Sequence, residues 1–222
     1  MNIVTRKLIA KELYVNRGFV VMGSAAGILS ALIATLGQTG LNIGSLMWLT
    51  TIIAIGVMLG IYGVMHERKE HTLEFVLSLP VSIADYVRAK VLGLWINFLI
   101  VWLLSNVAVM LVIFLKDSIP DGIAAYTVLI CFFNLAIYGI VVCGMLEART
   151  EAASTAIIVV TNMGISLFMF TVAPMAGIKD TMWGPTPVWN ATFWTVLGCE
   201  LATVLITFAL PFFLAARRRD FF

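Results

Sequence analysis

Apolar residues occupy most of this chain in six long runs, which short polar or Pro- and Gly-containing segments separate. A helix rises about 1.5 Å per residue, so about 20 apolar residues cross the roughly 30 Å of hydrocarbon in a bilayer. The pattern therefore predicts one all-α, polytopic membrane domain over residues 1–222. Its six transmembrane helices are expected at about residues 18–37, 45–65, 88–115, 123–146, 153–172 and 193–214.

The polar segments predict further elements. Residues 1–17 mix basic and apolar side chains, which favours a helix lying in the membrane interface, with a disordered basic leader as the alternative. Residues 38–44 are expected to form the outer loop between the first two spans. Ser82 and Asp85 have the spacing of a capping box, which predicts that the third helix starts before its apolar part. The prolines and tryptophans of residues 174–192 predict short broken helices at the outer interface.

Charge is scarce and unevenly placed. Only 12% of residues are charged, against about 25% in soluble domains, and 61% are hydrophobic. If both termini are cytoplasmic, only Lys116 and Lys179 among the 14 basic residues lie outside, and the other 12 lie inside. This bias satisfies the positive-inside rule and predicts a multi-pass protein of the plasma or inner membrane with cytoplasmic termini.

The charged stretch at residues 66–82, between the second and third spans, is the strongest candidate for function. If it is helical, it has an apolar ridge beside an acidic ridge, and Pro80 ends the helix. A solvated loop is the ordinary interpretation of such a charge run, but the helical spacing of the apolar residues favours docking to a partner protein. The two ridges consist of Leu73, Val76, Leu77, Glu67, Glu70 and Glu74.

A known signature matches this stretch, which reads Glu67-x-x-Glu70-x-Thr72-Leu73-Glu74-x-x-Leu77-Ser78-Leu79-Pro80-Val81-Ser82. The pattern resembles the coupling helix of the type-2 ABC exporter permease family, although His71 stands where the family usually has glycine. The resemblance implies a cytoplasmic coupling helix that docks on ABC ATPase subunits, an N-terminal elbow helix and a re-entrant outer segment between spans five and six. The implied coupling residues are Glu67, Glu70, Thr72, Leu73, Glu74, Leu77, Leu79 and Pro80.

The resemblance also implies how the chain works. Six spans are half of a usual exporter pathway, so a second permease, identical or homologous, is expected. The chain has no G-x-x-x-x-G-K-[ST] motif, so ATP and Mg²⁺ are expected on a separate ATPase chain, and we expect no enzyme activity or cofactor here. Alternating access would export a substrate, and the short outer loops and apolar spans favour a hydrophobic or amphipathic one.

Other chemistry has weaker support. His66 and His71 lie five residues apart with no cysteine nearby, which is poor spacing for a metal site. Cys131, Cys143 and Cys199 fall inside apolar runs and are expected to be small core residues. No nucleic-acid partner is expected. The alternative functions are a membrane scaffold that recruits a soluble partner through residues 66–82, and an intramembrane enzyme, for which no catalytic constellation is visible.

Five polar side chains inside the spans are candidate pathway or gating residues. Glu200 is the ionisable one, and a charge in lipid is costly. Its alternatives are snorkelling outward, a neutral form and structural hydrogen bonding. Asn97, Asn106, Asn134 and Asn162 complete the set, and interhelical hydrogen bonding is the simplest role for them.

Overall fold

The structure is a computed structural model that describes residues 3–69, 82–148 and 150–217, and these residues form helices and their connections. Six helices are long and apolar enough to cross a membrane, as the hydropathy pattern predicts. The second of them continues without a break through a π-helical turn and the short helix α3. The elements are α1 (Ile3–Ala34), α2 (Gly37–Gly60), the π turn (Ile61–Met65), α3 (His66–Lys69), α4 (Ile83–Leu115), α5 (Ile123–Glu147), α6 (Glu151–Val172) and α7 (Ala191–Arg217).

Successive membrane helices run in opposite directions, so the bundle has two ends. The end that carries the start of α1, the end of α3 and the start of α4 is called the charged end below. The other end carries the connections at residues 35–36, 116–122 and 173–190, and is called the loop end. There the backbone N–H of Gly122 donates to the carbonyl oxygen of Gly184 at 3.0 Å, which ties two of the connections together.

The first helix differs from the expected arrangement. We predicted a separate interfacial helix over residues 1–17, but α1 is unbroken from Ile3 to Ala34. The N-terminal part is held against α4, where the side-chain amide of Asn97 donates to the Glu12 carbonyl oxygen at 3.2 Å. Gly93 of α4 makes room for the Glu12 side chain. Because this contact fixes the segment to the bundle, it continues the first span.

The predicted outer loop at residues 38–44 is also wrong, because these residues belong to α2. The chain reverses at Thr35 and Leu36, and Gly37 adopts a φ of +89°, which favours glycine. A Cβ at Gly40 or Gly44 would meet the backbone of α1, so both glycines allow close approach of the two helices. Close packing therefore extends the helix through a polar sequence.

The 173–190 connection contains turns but no helix, so the predicted short helices are wrong. Its prolines remove backbone donors, and Gly177 turns the chain with a φ of +85°. Asn190 closes the segment, because its amide donates to the Gly177 carbonyl at 2.6 Å and its oxygen accepts from the Phe193 N–H at 2.9 Å. The re-entrant path of this segment in the bilayer stays a prediction.

The predicted start of α4 is confirmed. The Ser82 hydroxyl oxygen accepts from the Asp85 backbone N–H at 3.1 Å, which caps the helix. The hydroxyl also lies 2.8 Å from the Asp85 carboxylate and donates to it.

The apolar core lies where α2, α4 and α5 meet. Phe98 of α4 and Tyr138 of α5 stack with ring centroids 3.8 Å apart, and Gly56 of α2 faces both rings. The Tyr138 hydroxyl donates to the Leu94 carbonyl oxygen at 2.8 Å. Outside this core, α6 packs mainly on α5, where Phe133 and Phe168 stack at 3.9 Å.

Candidate functional site

The predicted coupling stretch is only partly described. Of its eight candidate residues, Glu67 lies in α3 and is described. The other seven, Glu70, Thr72, Leu73, Glu74, Leu77, Leu79 and Pro80, lie outside the described residues. The structure therefore describes the two helices that flank the stretch, α3 before it and the capped start of α4 after it.

Glu67 takes part in a network of four charged side chains at the charged end. Its Oε1 lies 2.7 Å from the Lys11 Nζ, and its Oε2 lies 2.7 Å from the Lys90 Nζ. The same Lys90 Nζ lies 2.8 Å from Glu12 Oε1, and Lys11 Nζ lies 3.7 Å from that oxygen. Lys11, Glu12, Glu67 and Lys90 are called the charge cluster below. It joins α1, α3 and α4.

The charge cluster is largely removed from solvent. The Lys90 side chain is 1% exposed and the Glu12 side chain is 7% exposed, whereas that of Lys11 is 42% exposed. A buried charge is costly unless it is paired, and here two ammonium groups balance two carboxylates. Burial by itself raises the pKa of the Glu67 carboxyl, but Lys90 and Lys11 outweigh burial and hold that pKa below its usual value.

Neighbouring groups complete the hydrogen bonding of the charge cluster. The Tyr86 hydroxyl donates to Glu67 Oε2 at 3.1 Å. On the α1 side, the amides of Asn16 and Asn97 both donate to the Glu12 backbone carbonyl, at 3.0 and 3.2 Å. These bonds fix the backbone that presents Glu12 to Lys90.

The π turn lies directly before Glu67. In a π helix the backbone bond spans five residues, and the His66 N–H accordingly donates to the Ile61 carbonyl oxygen. The wider turn changes the direction in which the following side chains point, compared with a regular α-helix. Gly63 sits against the Leu94 side chain, so the π turn can approach α4 closely. The π turn thus helps to place Glu67 beside Lys90.

Glu200 lies far from the charge cluster, on the face of α7 that packs against α5. It is 5% exposed, and neither carboxylate oxygen has a hydrogen-bond partner within the described residues. The carboxyl is buried among the helices, so it does not snorkel outward. One turn before it, Leu197 is buried on the same face.

The four asparagines occupy three separate places. Asn97 supports the charge cluster. Asn106 accepts from the Trp48 indole N–H at 3.0 Å and joins α2 to α4. Asn134 and Asn162 donate to carbonyl oxygens one turn earlier in their own helices and line one narrow cavity of about 20 Å³, roughly the room of one water molecule. Glu200 does not line this cavity.

Comparison with known families covers almost the whole bundle. A family model described as "ABC-2 family transporter protein" matches residues 7–217, from the first turns of α1 to the end of α7. The chain belongs to the ABC-2 transporter family. Members of this family are the membrane permease subunits of ABC transporters and work with ABC ATPases. No curated protein matches the chain.

Three residues that complete the charge cluster of this ABC-2 permease, Lys11, Glu12 and Lys90, are not among the site residues predicted from the sequence. We counted Lys90 and Lys11 only as basic residues for orientation, and Glu12 received no role. A signal exists in the sequence, because Glu12 is the one acidic residue in the first 60 positions, and Lys90 interrupts the start of an apolar run. The pattern of residues along the chain does not reveal which distant helices pair with each other.

One of the three cysteines of the permease is not the buried core residue that the sequence predicts. Cys131 and Cys143 are buried, as predicted for small core residues, but Cys199 is exposed on the outer face of α7. All three are free thiols. Among the described residues, no group of three or more His, Cys, Asp or Glu side chains is arranged to hold a metal ion.

Proposed function

We propose that this ABC-2 permease exports a hydrophobic or amphipathic substrate, driven by ATP hydrolysis on a separate ATPase chain that binds ATP and Mg²⁺. Transport takes place by alternating access at the interface with a second permease copy, identical or homologous. The permease lies in the plasma or inner membrane with both termini cytoplasmic, so the charged end faces the ATPase.

The observation that carries this proposal is the position of Glu67. It is the first residue of the coupling signature, and its carboxylate contacts the Lys11 and Lys90 ammonium groups within the bundle. A force applied to the coupling stretch therefore acts on α3, which Glu67 attaches to α1 and α4. Among the remaining coupling candidates, Leu73, Leu77 and Leu79 supply the apolar contact with the ATPase, and Glu70, Thr72 and Glu74 supply the polar contact.

Glu200 is the candidate gating residue in this proposal. Its buried carboxyl without a described partner makes the present packing of α7 on α5 costly if Glu200 is ionised. Separation of these helices during alternating access would expose the carboxyl to water. Asn134 and Asn162 line the cavity where α2, α4, α5 and α6 meet, and they are the nearest candidates for a pathway lining.

The proposal is tested by reconstitution with an ATPase encoded beside the permease. In proteoliposomes that contain both chains, we expect ATP hydrolysis that requires the permease and is lost on Glu74→Lys or on deletion of residues 72–79. The matched control is Asp180→Lys, which makes the same charge reversal at an exposed loop-end position. Hydrolysis that ignores the permease, or survives the deletion, would contradict the proposal.

Glu200→Gln in the same proteoliposomes tests the gating role. The amide keeps the size of the side chain and removes its charge, so we expect altered stimulation of ATP hydrolysis by amphipathic cations such as the dye rhodamine 6G. Equal stimulation of the variant and the wild type would remove Glu200 from the proposal.

A further inference from the structure

We propose that Lys90 is a positioning residue that makes α1, α3 and α4 move as one body when the ATPase pulls on the coupling stretch. The inference rests on the proposed function. It assigns to Lys90 a role in transmitting movement, which is distinct from contact with the ATPase.

The geometry converges on one atom. The Lys90 Nζ of α4 lies 2.8 Å from a carboxylate of α1 and 2.7 Å from a carboxylate of α3. These two carboxylates come from residues separated by 55 positions of sequence. No other ammonium group among the described residues bridges α1 and α3 from within the core, because Lys11 belongs to α1 itself and is partly exposed.

Close packing surrounds the bridge. Gly93, one turn after Lys90, faces the Glu12 side chain, and Gly63 faces Leu94. Helix α1, the π turn and α4 thus approach closely at this level, and a shift of α1, α3 or α4 would pull a charge from its partner in a poorly solvated place. Since separating such a pair is costly, the three helices keep their relative positions.

The π turn supplies the place where movement is absorbed. It lies between α2 and Glu67, so α2 can change its angle to α3 while Glu67 stays attached to Lys90. π-helical turns are rare and are frequent at functional sites. The proposal therefore predicts a stiff joint between α1 and α4 and a compliant joint between α2 and α3.

Distance measurements between spin labels test this division. The permease is prepared with its ATPase in nanodiscs, with the three native cysteines replaced by alanine. One label pair is placed at the exposed positions Tyr14 of α1 and Arg88 of α4, and a second at Arg88 and the exposed Met58 of α2. Distances are compared without nucleotide and after trapping with ATP and orthovanadate.

The deciding variant is the double substitution Glu12→Gln/Lys90→Met. It removes one positive and one negative charge together, so Lys11 and Glu67 remain as a balanced pair and the fold is retained. Lys90→Arg keeps the bridging charge, and Lys7→Met, at an exposed position of α1, is the matched control.

In the wild type we expect the Tyr14–Arg88 distance to stay constant and the Met58–Arg88 distance to change with nucleotide. In the double variant we expect the Tyr14–Arg88 distance to shift or broaden on trapping, while the ATPase still co-purifies. Lys90→Arg and Lys7→Met should behave like the wild type. If the double variant keeps the wild-type distances in both states, the role proposed for Lys90 is overturned, but the proposed function is not. A wild-type complex with no nucleotide-dependent change in either pair would instead overturn the proposed function, and this inference with it.

Discussion

The two halves of the bundle are held together by different means. In the first half, α1, α2 and α4 pack through glycines, and α1, α3 and α4 join at the charge cluster. Gly27 of α1, for example, lies directly against Ser105 of α4. In the second half, α5, α6 and α7 pack mainly through aromatic and aliphatic side chains, although Gly139 of α5 lies directly against Thr207 of α7. Helix α6 is attached mainly to α5, and the buried Glu200 has no described partner.

This difference separates a stiff region from a movable one. Small residues let helix backbones approach closely, and paired buried charges specify one arrangement. Apolar side chains that face other apolar side chains have no charge partner to keep, so they specify one arrangement less strictly than paired buried charges do. We therefore expect α1, α3 and α4 to carry force from the coupling stretch, α2 to adjust at the π turn, and the second half to rearrange around the pathway.

The largest effect should come from Lys90→Met. The substitution leaves the Glu12 carboxylate without its 2.8 Å partner in a buried place, which should lower the free energy of unfolding by about 3–5 kcal/mol. Denaturation by SDS in mixed micelles, followed by circular dichroism, measures the change. Glu12→Gln/Lys90→Met should recover most of the loss because it removes both charges. If the double variant is as unstable as the single one, the loss of stability does not come from an unpaired charge.

A matched pair of glycines sharpens the comparison between the halves. At Gly27 an added Cβ meets the Ser105 hydroxyl, so Gly27→Ala should lower the free energy of unfolding by about 1–3 kcal/mol. At Gly198 of α7 the Cβ meets nothing, and Gly198→Ala should raise that free energy by about 0.8–1 kcal/mol through helix propensity. The same denaturation assay measures both. Equal costs at the two positions would mean that α7 is packed at Gly198 as tightly as α1 is packed at Gly27.

Acid should weaken the first half selectively. Because the pKa of Glu67 is lower in the folded protein than in the unfolded chain, its contribution to stability is complete above the unfolded pKa of about 4.3 and is lost as pH falls through the folded value. The thermal midpoint of the wild type should therefore fall below about pH 4.3 more steeply than that of Glu67→Gln. Parallel pH profiles for the two proteins would show that Glu67 is not stabilised as an anion.

The smallest effect on stability should come from Glu200→Gln. The Glu200 oxygens have no described hydrogen-bond partner, so an amide loses no contact, and the free energy of unfolding should stay within about 0.5 kcal/mol of the wild type or rise. Denaturation in micelles at neutral pH measures it. A large loss would mean that the carboxylate is paired in the assembled permease and that the second half is fixed there as well.

Hydropathy was sufficient to predict the six helices, because bilayer thickness constrains the length of each apolar run. It was not sufficient at the helix ends. Residues 38–44 are polar enough to suggest a loop, yet Gly40 and Gly44 pack on α1 and keep them helical. The 174–192 segment has the residues of broken helices, but its prolines and glycines leave no helix before α7 begins at Ala191.

The candidate site was predictable only where it follows a local signature. Glu67 was found because it belongs to a pattern with fixed spacing. Lys90 and Glu12 are separated by 78 positions and pair only because α1 and α4 pack side by side. Such a pairing depends on which helices become neighbours, and the hydrophobicity pattern along the chain does not show which helices those are.

The two-residue reversal at Thr35 and Leu36 has a consequence for biogenesis. No Asp, Glu, Lys or Arg occurs between Arg17 and Glu67, so α1 and α2 can insert as a helical hairpin without carrying a charge across the hydrocarbon. The nascent chain then acquires two anchored helices before the cationic start of α4 leaves the ribosome. When Lys90 emerges, the helices that carry Glu12 and Glu67 are therefore already in place to pair with it.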